Sequence, residues 1–258
     1  EFDADHYVEH EDVLILVTQD GWYKRIRANN DPKNSRIREG DRLLAVEKAS
    51  TKDILVLFTS HGNSFGLKVY DVVSTSGFGE PVQKRFKFGD GETVIGCMVM
   101  PHNPDDLFAG QSELVLLSAQ GYGFRLERGF FGETTKSGKR AARLGKGDTL
   151  RCVFPLTTRE IFMLSEQGYG LRVKGEELPV LSSAGRGVIV QKMPKDDTVL
   201  FGISAGKQLR CMVELDKGKQ RELDFSDLAL TPRARRGLKV VKRGGPVERL
   251  VPDFELES

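Results

Sequence analysis

The sequence predicts an all-β fold, a single propeller-like domain of five four-stranded antiparallel blades. Three observations predict it. A unit made of an apolar run, a short polar turn ending in Gly and a second strand with a basic residue recurs five times. The 28 glycines among 258 residues are spread along the whole chain, against a usual share of about 7%, as many tight turns require. No apolar run approaches the roughly 18–20 residues of a membrane helix.

The runs with their turns are Val13–Gly21 (VLILVTQDG), Ile54–Gly62 (ILVLFTSHG), Leu114–Gly121 (LVLLSAQG), Ile161–Gly168 (IFMLSEQG) and, less cleanly, Val199–Gly206 (VLFGISAG). The glycines are 41, 59, 47 and 38 residues apart, near the 40–50 of propeller blades. Apolar runs bounded by turn signals read as buried strands. The Gly supplies the positive φ of a tight hairpin.

Beyond each Gly the chain alternates, and strand side chains alternate between faces. Three and five residues on stand Phe65 and Leu67, Phe124 and Leu126, Leu171 and Val173, Leu209 and Cys211, with Lys24 and Ile26 in the first repeat. Four residues on stand Arg25, Arg125, Arg172 and Arg210, with Gly66 in the second repeat. Six residues on come Arg27, Lys68, Glu127, Lys174 and Met212. One face is thus expected inside, and the other is expected to present Arg in most blades.

Each repeat also carries a basic, Gly-containing loop: Arg36–Gly40, Gln83–Gly89, Lys136–Arg143, Gly185–Gly187 and Arg233–Gly237. Strands are expected after most of them, at Leu43–Val46, Val94–Val99, Leu150–Phe154, Val188–Gln191 and Leu238–Val241. The Ser/Gly-rich Asp71–Pro81 reads as a lengthened loop.

The net charge of +2 conceals an uneven distribution. Residues 1–12 hold six acids and residues 252–258 three, with no Lys or Arg in either. In residues 13–251 all 39 bases face 28 acids, a charge of +11. The expected organisation is an acidic segment over 1–12, the five-repeat domain over 13–251 and an acidic tail over 252–258. A basic body suits a polyanion. An ordinary charged propeller surface remains the plainer reading of charge alone.

No catalytic constellation is visible. There is no GxxxxGK followed by Ser or Thr, no GxSxG, and no GxGxxG opening a helix. His6 and His10 lie among acids, as a solvated segment would; a metal site there is the alternative. Cys97, Cys152 and Cys211 form no CxxC or paired framework, which suits buried thiols in a reducing compartment. The lone tryptophan, Trp22, and the absence of a Trp-Asp dipeptide fit a WD40 propeller poorly. Aromatics do not pair with the basic positions, which argues against single-strand stacking.

The stretch EDVLILVTQDGWYKR, then LLSAQGYGFRL and MLSEQGYGLRV, with AGRGVIV and RRGLKVV between and after them, resembles the C-terminal domains of bacterial type IIA topoisomerase A subunits. The resemblance covers residues 10–251. It implies a five-bladed β-pinwheel, whose blades exchange a strand, and duplex DNA held by basic side chains on its outer rim. It implies no cofactor and no chemistry in this domain, cleavage and ATP hydrolysis belonging elsewhere. The implied partners are DNA, an ATPase B subunit, the catalytic one for ATP, plus the rest of the A subunit. The domain is expected to be monomeric, in the bacterial cytoplasm, without membrane. Gyrase A carries a Gln-Arg-Arg-Gly-Gly-Lys-Gly box after its first hairpin; here Ala28–Gly40 reads ANNDPKNSRIREG. That absence, with five repeats, favours the topoisomerase IV branch (ParC) over a divergent gyrase and argues against tight wrapping. A protein-binding propeller is the reading from another class, and a propeller enzyme lacks candidate residues.

The expected DNA-facing residues are Arg25, Arg125, Arg172 and Arg210 of the hairpins, with Arg27 and Lys174 at their ends. From the Gly loops come Arg36, Arg38, Lys84, Arg85, Lys139, Arg140, Arg143, Arg186, Arg235 and Arg236.

Overall fold

Apolar runs, turn glycines and alternation build strands almost throughout. The computed structural model describes residues 8–103, 105, 112–206 and 210–256. Its strands are, in chain order, β1 Asp12–Thr18, β2 Trp22–Arg27, β3 Leu43–Ser50, β4 Ile54–Thr59, β5 Asn63–Lys68, β6 Glu80–Pro81 and β7 Val94–Met100. There follow β8 Glu113–Ser118, β9 Tyr122–Glu127, β10 Lys139–Arg140, β11 Leu150–Pro155, β12 Glu160–Ser165, β13 Tyr169–Lys174, β14 Val180–Leu181 and β15 Val188–Ile189. The last are β16 Val199–Ala205, β17 Arg210–Leu215, β18 Lys219–Asp224, β19 Leu238–Lys239 and β20 Val247–Leu250, before a helical turn, α1, over Asp253–Leu256. They form five small sheets, a five-bladed β-pinwheel.

The strands fall into two compact units, Glu1–Phe108 with Phe131–Ala141, and Ala109–Phe130 with Ala142–Ser258. The first holds sheets β3-β1-β2-β6 and β10-β5-β4-β7. Its core packs Ile15, Val17, Leu55, Leu57, Phe65 and Val82. The second holds β11-β8-β9-β14, with β15 also on β9, then β16-β12-β13-β19 and β18-β17-β20. Its cores gather around Leu117, Met163 and Val190, and around Phe162 and Phe225, whose rings stack at 3.6 Å.

One turn recurs in four hairpins. The last residue of the first strand is a buried hydroxyl, Thr18, Thr59, Ser118 or Ser165. It accepts the N–H of the residue after the turn glycine, at 3.0, 3.3, 3.2 and 3.1 Å. In three of them a carboxylate from the following loop holds the turn as well. Asp41, Asp148 and Asp197 accept the N–H groups of Asp20, Gln120 and Gln167 at 2.9–3.0 Å. Gly21, Gly62, Gly121 and Gly168 take φ near +81 to +89°, as a hairpin glycine does.

Strand exchange is visible in the pairing. Each short strand that completes a hairpin lies beyond the next hairpin in the chain. Thus β6 joins β2, β10 joins β5, β14 and β15 join β9, and β19 joins β13. The donors align as one eight-residue pattern: Gly77–Lys84 (GFGEPVQK), Lys136–Arg143 (KSGKRAAR), Gly185–Lys192 (GRGVIVQK) and Arg235–Lys242 (RRGLKVVK). The third residue is always Gly with positive φ, and at Gly187 and Gly237 a Cβ would lie 2.1 Å from a carbonyl oxygen of the accepting strand.

Three expectations are corrected here. The fifth repeat stands out of the expected register: Val199–Ala205 is β16 and pairs with β12, and the fifth hairpin is β17–β18 around Asp216–Gly218. Its turn uses positive φ at Lys217 and Gly218 rather than at Gly206. The blades are not uniformly four-stranded: the third has five strands with a parallel β14–β9 pair, and the fifth has three among the described residues. In the first blade the exchanged loop is Gly77–Pro81, inside the stretch expected as a plain spacer, and not Arg36–Gly40. Leu209 and His6 lie outside the described residues.

Candidate nucleic-acid interface

The arginines four residues after the turn glycine in blades one, three and four lie on the strand face opposite the core, yet each already donates to the fold. Arg25 Nε donates to the Val72 carbonyl at 2.8 Å. Arg125 Nε donates to Leu178 O at 2.9 Å and Nη1 to Glu113. Arg172 donates to Glu160 and, at 3.2 Å, to Leu228 O. Val72, Leu178 and Leu228 each stand two residues before the residue that pairs in parallel with that arginine, Ser74, Val180 and Leu230. The side chains of Arg125 and Arg172 are only 16% and 21% exposed. These arginines clamp the incoming segment, so the expected exposed belt is corrected at Arg125 and Arg172, which engage two guanidinium nitrogens each within the fold, while Arg25 engages Nε alone. In the second blade the segment runs so close that a Cβ on Gly66 would fall 1.8 Å from Gly132 O, which explains why no arginine stands there.

The fifth hairpin inverts the pair. Glu113 and Glu160 stand eight residues before their turn glycines; Arg210 stands eight before Gly218. Glu222 holds the place of the arginine and accepts from Arg210 at 3.2 Å. Arg210 is exposed and also meets Asp224 at 3.3 Å. The Asp224 carboxyl is held below its ordinary value, first by the Ser226 hydroxyl and amide, then by Arg210.

Exposed cations gather instead on the exchanged segments. The eighth residue of the pattern is always basic: Lys84, Arg143, Lys192 and Lys242, all exposed. Lys84 pairs with Glu80. Arg143, Lys192 and Lys242 have no side-chain partner among the described residues. Lys139, Arg140 and Arg235 are exposed as well. In the second unit the segments continue one another through parallel bridges, Ala142 with Gly185 and Gln191 with Arg235. Gln191, fully buried, donates to Tyr169 O and Arg236 O. Lys192 and Lys242 escaped the sequence reading; aligning the four segments on their glycine would have found them.

Arg27 is exposed at the end of β2, and Lys174 meets Glu176 at 3.7 Å. Arg85 pairs with Asp71 at 3.0 Å. Arg36 is exposed, and its carbonyl accepts from Lys24 Nζ at 2.8 Å. Lys24 is 3% exposed and reaches Gly77 O too, so it ties the Arg36–Gly40 loop to the exchanged segment. Burial lowers its pKa from the ordinary lysine value. Arg38, Arg186 and Arg236 lie over the rings of Trp22, Tyr122 and Tyr169, at 4.7, 3.9 and 3.7 Å. Aromatics therefore do pair with basic positions, contrary to the sequence reading, because the partners meet only through the folded loops.

Among the described residues no three His, Cys, Asp or Glu gather as a metal site. His10 meets Asp12 at 3.4 Å and Ser50 at 2.7 Å. The three cysteines are free, and burial pushes the Cys152 and Cys211 thiols up to about 12, far from a reactive thiolate. No helix of the described residues is long and apolar enough to cross a membrane.

Exchanged strands, repeated hairpins and a cation at a fixed step of each exchanged segment define a β-pinwheel domain with basic segments. The chain belongs to the family described as DNA gyrase C-terminal domain, beta-propeller, whose model matches residues 53–99, 112–156 and 159–204. The A subunit of DNA topoisomerase 4 from Streptococcus pneumoniae is 25% identical over 253 residues, covering 94% of this chain and 30% of that protein. The A subunit of DNA gyrase from Rickettsia conorii is 28% identical over 230 residues, covering 81% and 25%. The chain thus spans less than a third of the length of these curated relatives. Among solved structures, the C-terminal domain of a DNA topoisomerase IV matches with a TM-score of 0.77 at 20% identity, covering 95% of this chain and 78% of that one. The E. coli ParC C-terminal domain matches with a TM-score of 0.74 at 20% identity, covering 93% and 98%.

Proposed function

We propose that this domain binds duplex DNA without sequence preference, as the C-terminal domain of a topoisomerase IV-type A subunit. It bends a segment and presents it to the cleavage core for decatenation and relaxation. The observation that carries this reading is the basic eighth position of every exchanged segment, unpaired at Arg143, Lys192 and Lys242. Lys and Arg at such steps meet phosphates, which fixes position but reads no sequence. The domain itself does no chemistry. Cleavage falls to the rest of the A subunit, ATP hydrolysis to a B subunit, in the bacterial cytoplasm on the nucleoid. The sequence of Ala28–Gly40, without a gyrase-type box, supports the topoisomerase IV assignment and weak wrapping.

Anisotropy of a labelled 20–30 bp duplex, titrated across salt, tests it. With about five phosphates neutralised, affinity falls roughly 500-fold between 50 and 200 mM salt. Bending such a segment by 40–90° costs on the order of 1–6 kcal/mol, which a handful of charge contacts offset at low salt. Absent or salt-independent binding refutes the reading. Leu238, 64% exposed, with Ile189 exposed in the neighbouring exchanged segment, favours protein docking as the second reading. Salt-independent capture of a protein partner would mark that outcome.

A further inference from the structure

The residue directly after the turn glycine is aromatic in repeats one, three and four: Trp22, Tyr122 and Tyr169. Each ring carries a guanidinium, Arg38 at 4.7 Å, Arg186 at 3.9 Å and Arg236 at 3.7 Å. In repeat two the position is Asn63, and the residue before Gly138 is Ser137, so neither half of the arrangement is present. We infer that these three aromatic-backed arginines are preorganised seats for phosphodiester groups. The inference rests on the duplex-DNA reading above and deepens it.

The contrast with the clamping arginines makes the case. Arg125 and Arg172 spend their donors on carbonyls and carboxylates of the fold. Arg38, Arg186 and Arg236 have no carboxylate partner among the described residues. Stacking engages the face of a guanidinium and leaves its in-plane N–H fork open, the edge that binds two oxygens of one phosphate. A ring beneath also limits the rotamers of a long side chain, so less freedom is lost when the anion arrives. At Tyr169 a second cation converges: Lys239 Nζ lies 5.0 Å from the same ring centroid while donating to the Gln167 carbonyl. The Arg236 Nε is buried with no acceptor, so the edge left open there is that of the two terminal nitrogens. Two like charges over one ring repel each other until an anion sits between them. At Tyr122, the Arg186 guanidinium lies against Gly145, where a Cβ would come within 2.8 Å of Nη2.

The test separates ring from charge in the full chain. The double variant Tyr122→Leu/Tyr169→Leu removes no charge. It should bind a 20–30 bp duplex about tenfold more weakly at fixed salt, about threefold per seat as for an exposed cation–π pair, with the salt slope unchanged. Tyr122→Phe/Tyr169→Phe keeps the rings and should restore affinity. Arg186→Ala/Arg236→Ala should make the slope shallower by about 1.8, two released counterion sets. Trp22, the only tryptophan, gives a readout that needs no variant: its emission should change on adding duplex and revert on adding salt. If the Leu pair, shown folded by its thermal midpoint, binds like the parent while the parent binds DNA in a salt-dependent way, the seats are refuted and the DNA reading stands. Loss in the Phe pair equal to that in the Leu pair, or Trp22 emission unmoved at saturating DNA, also refutes them. Preference for polyglutamate over duplex would assign the forks to carboxylates instead. A parent chain that does not bind duplex removes both readings.

Discussion

Arg125→Met separates the two roles an arginine at this step could have. Met keeps much of the stem's packing but donates nothing. The change deletes the 2.9 Å bond to Leu178 O and the contact with Glu113, and leaves the carbonyl of a buried residue and a part-buried carboxylate without that donor. A hydrogen bond involving a charged group contributes about 1.5–3 kcal/mol. The Glu113 pair, with both side chains partly exposed at 16% and 29%, adds at most a few tenths to about 1 kcal/mol. A loss of about 2–3 kcal/mol follows, or a thermal midpoint lowered by about 4–12 °C for a chain of this size. The assay is paired: thermal melting, then a duplex titration across salt below the melting range. The clamp predicts a large drop in midpoint and an unchanged slope. A midpoint within about 1 °C of the parent, with a slope shallower by about 0.9, would show that Arg125 holds phosphate and that the clamp reasoning is wrong.

Two further outcomes are expected. Gly66→Ala should destabilise the first unit by several kcal/mol, since the methyl meets the Gly132 carbonyl and breaks the 3.1 and 3.2 Å bonds with Thr134; an unchanged urea midpoint would contradict this. Lys24 gives a pH effect. Its folded pKa lies below the unfolded value of 10.5, so the unfolded chain holds that proton more tightly. The stability of the parent relative to Lys24→Met should therefore rise with pH from the lowered value up to about 10.5; urea midpoints at pH 8 and 10 check it, and a falling difference would refute it.

The hairpins were legible because their signals are local. Gly21, Gly62, Gly121 and Gly168 stand where positive φ is needed, and the period of two at Phe65/Leu67, Phe124/Leu126 and Leu171/Val173 put those side chains in the core. The fifth hairpin was lost because Glu214 interrupts its run, while β16 imitates a first strand. The clamp was hidden for another reason. Sequence displays the charge of Arg25, Arg125 and Arg172 but not their acceptors, which are backbone carbonyls of Val72, Leu178 and Leu228 and carry no residue code. The stacked arginines were hidden because Tyr122 and Arg186, or Tyr169 and Arg236, meet only through two-residue strands paired across more than sixty positions.

Exchange also sets a timetable for the nascent chain. The first hairpin closes at Arg27, yet its fourth strand, Glu80–Pro81, emerges only after the second hairpin has been made. At about 5–20 residues per second the β2 edge waits roughly 3–10 s unpaired on the ribosome, and every later blade but the last repeats the delay. An unpaired strand edge is a template for the wrong partner. The polar and charged side chains along these acceptors, Lys24, Arg25 and Arg27, then Arg125 and Glu127, then Arg172 and Lys174, guard the edge during that interval before any of them serves the finished fold.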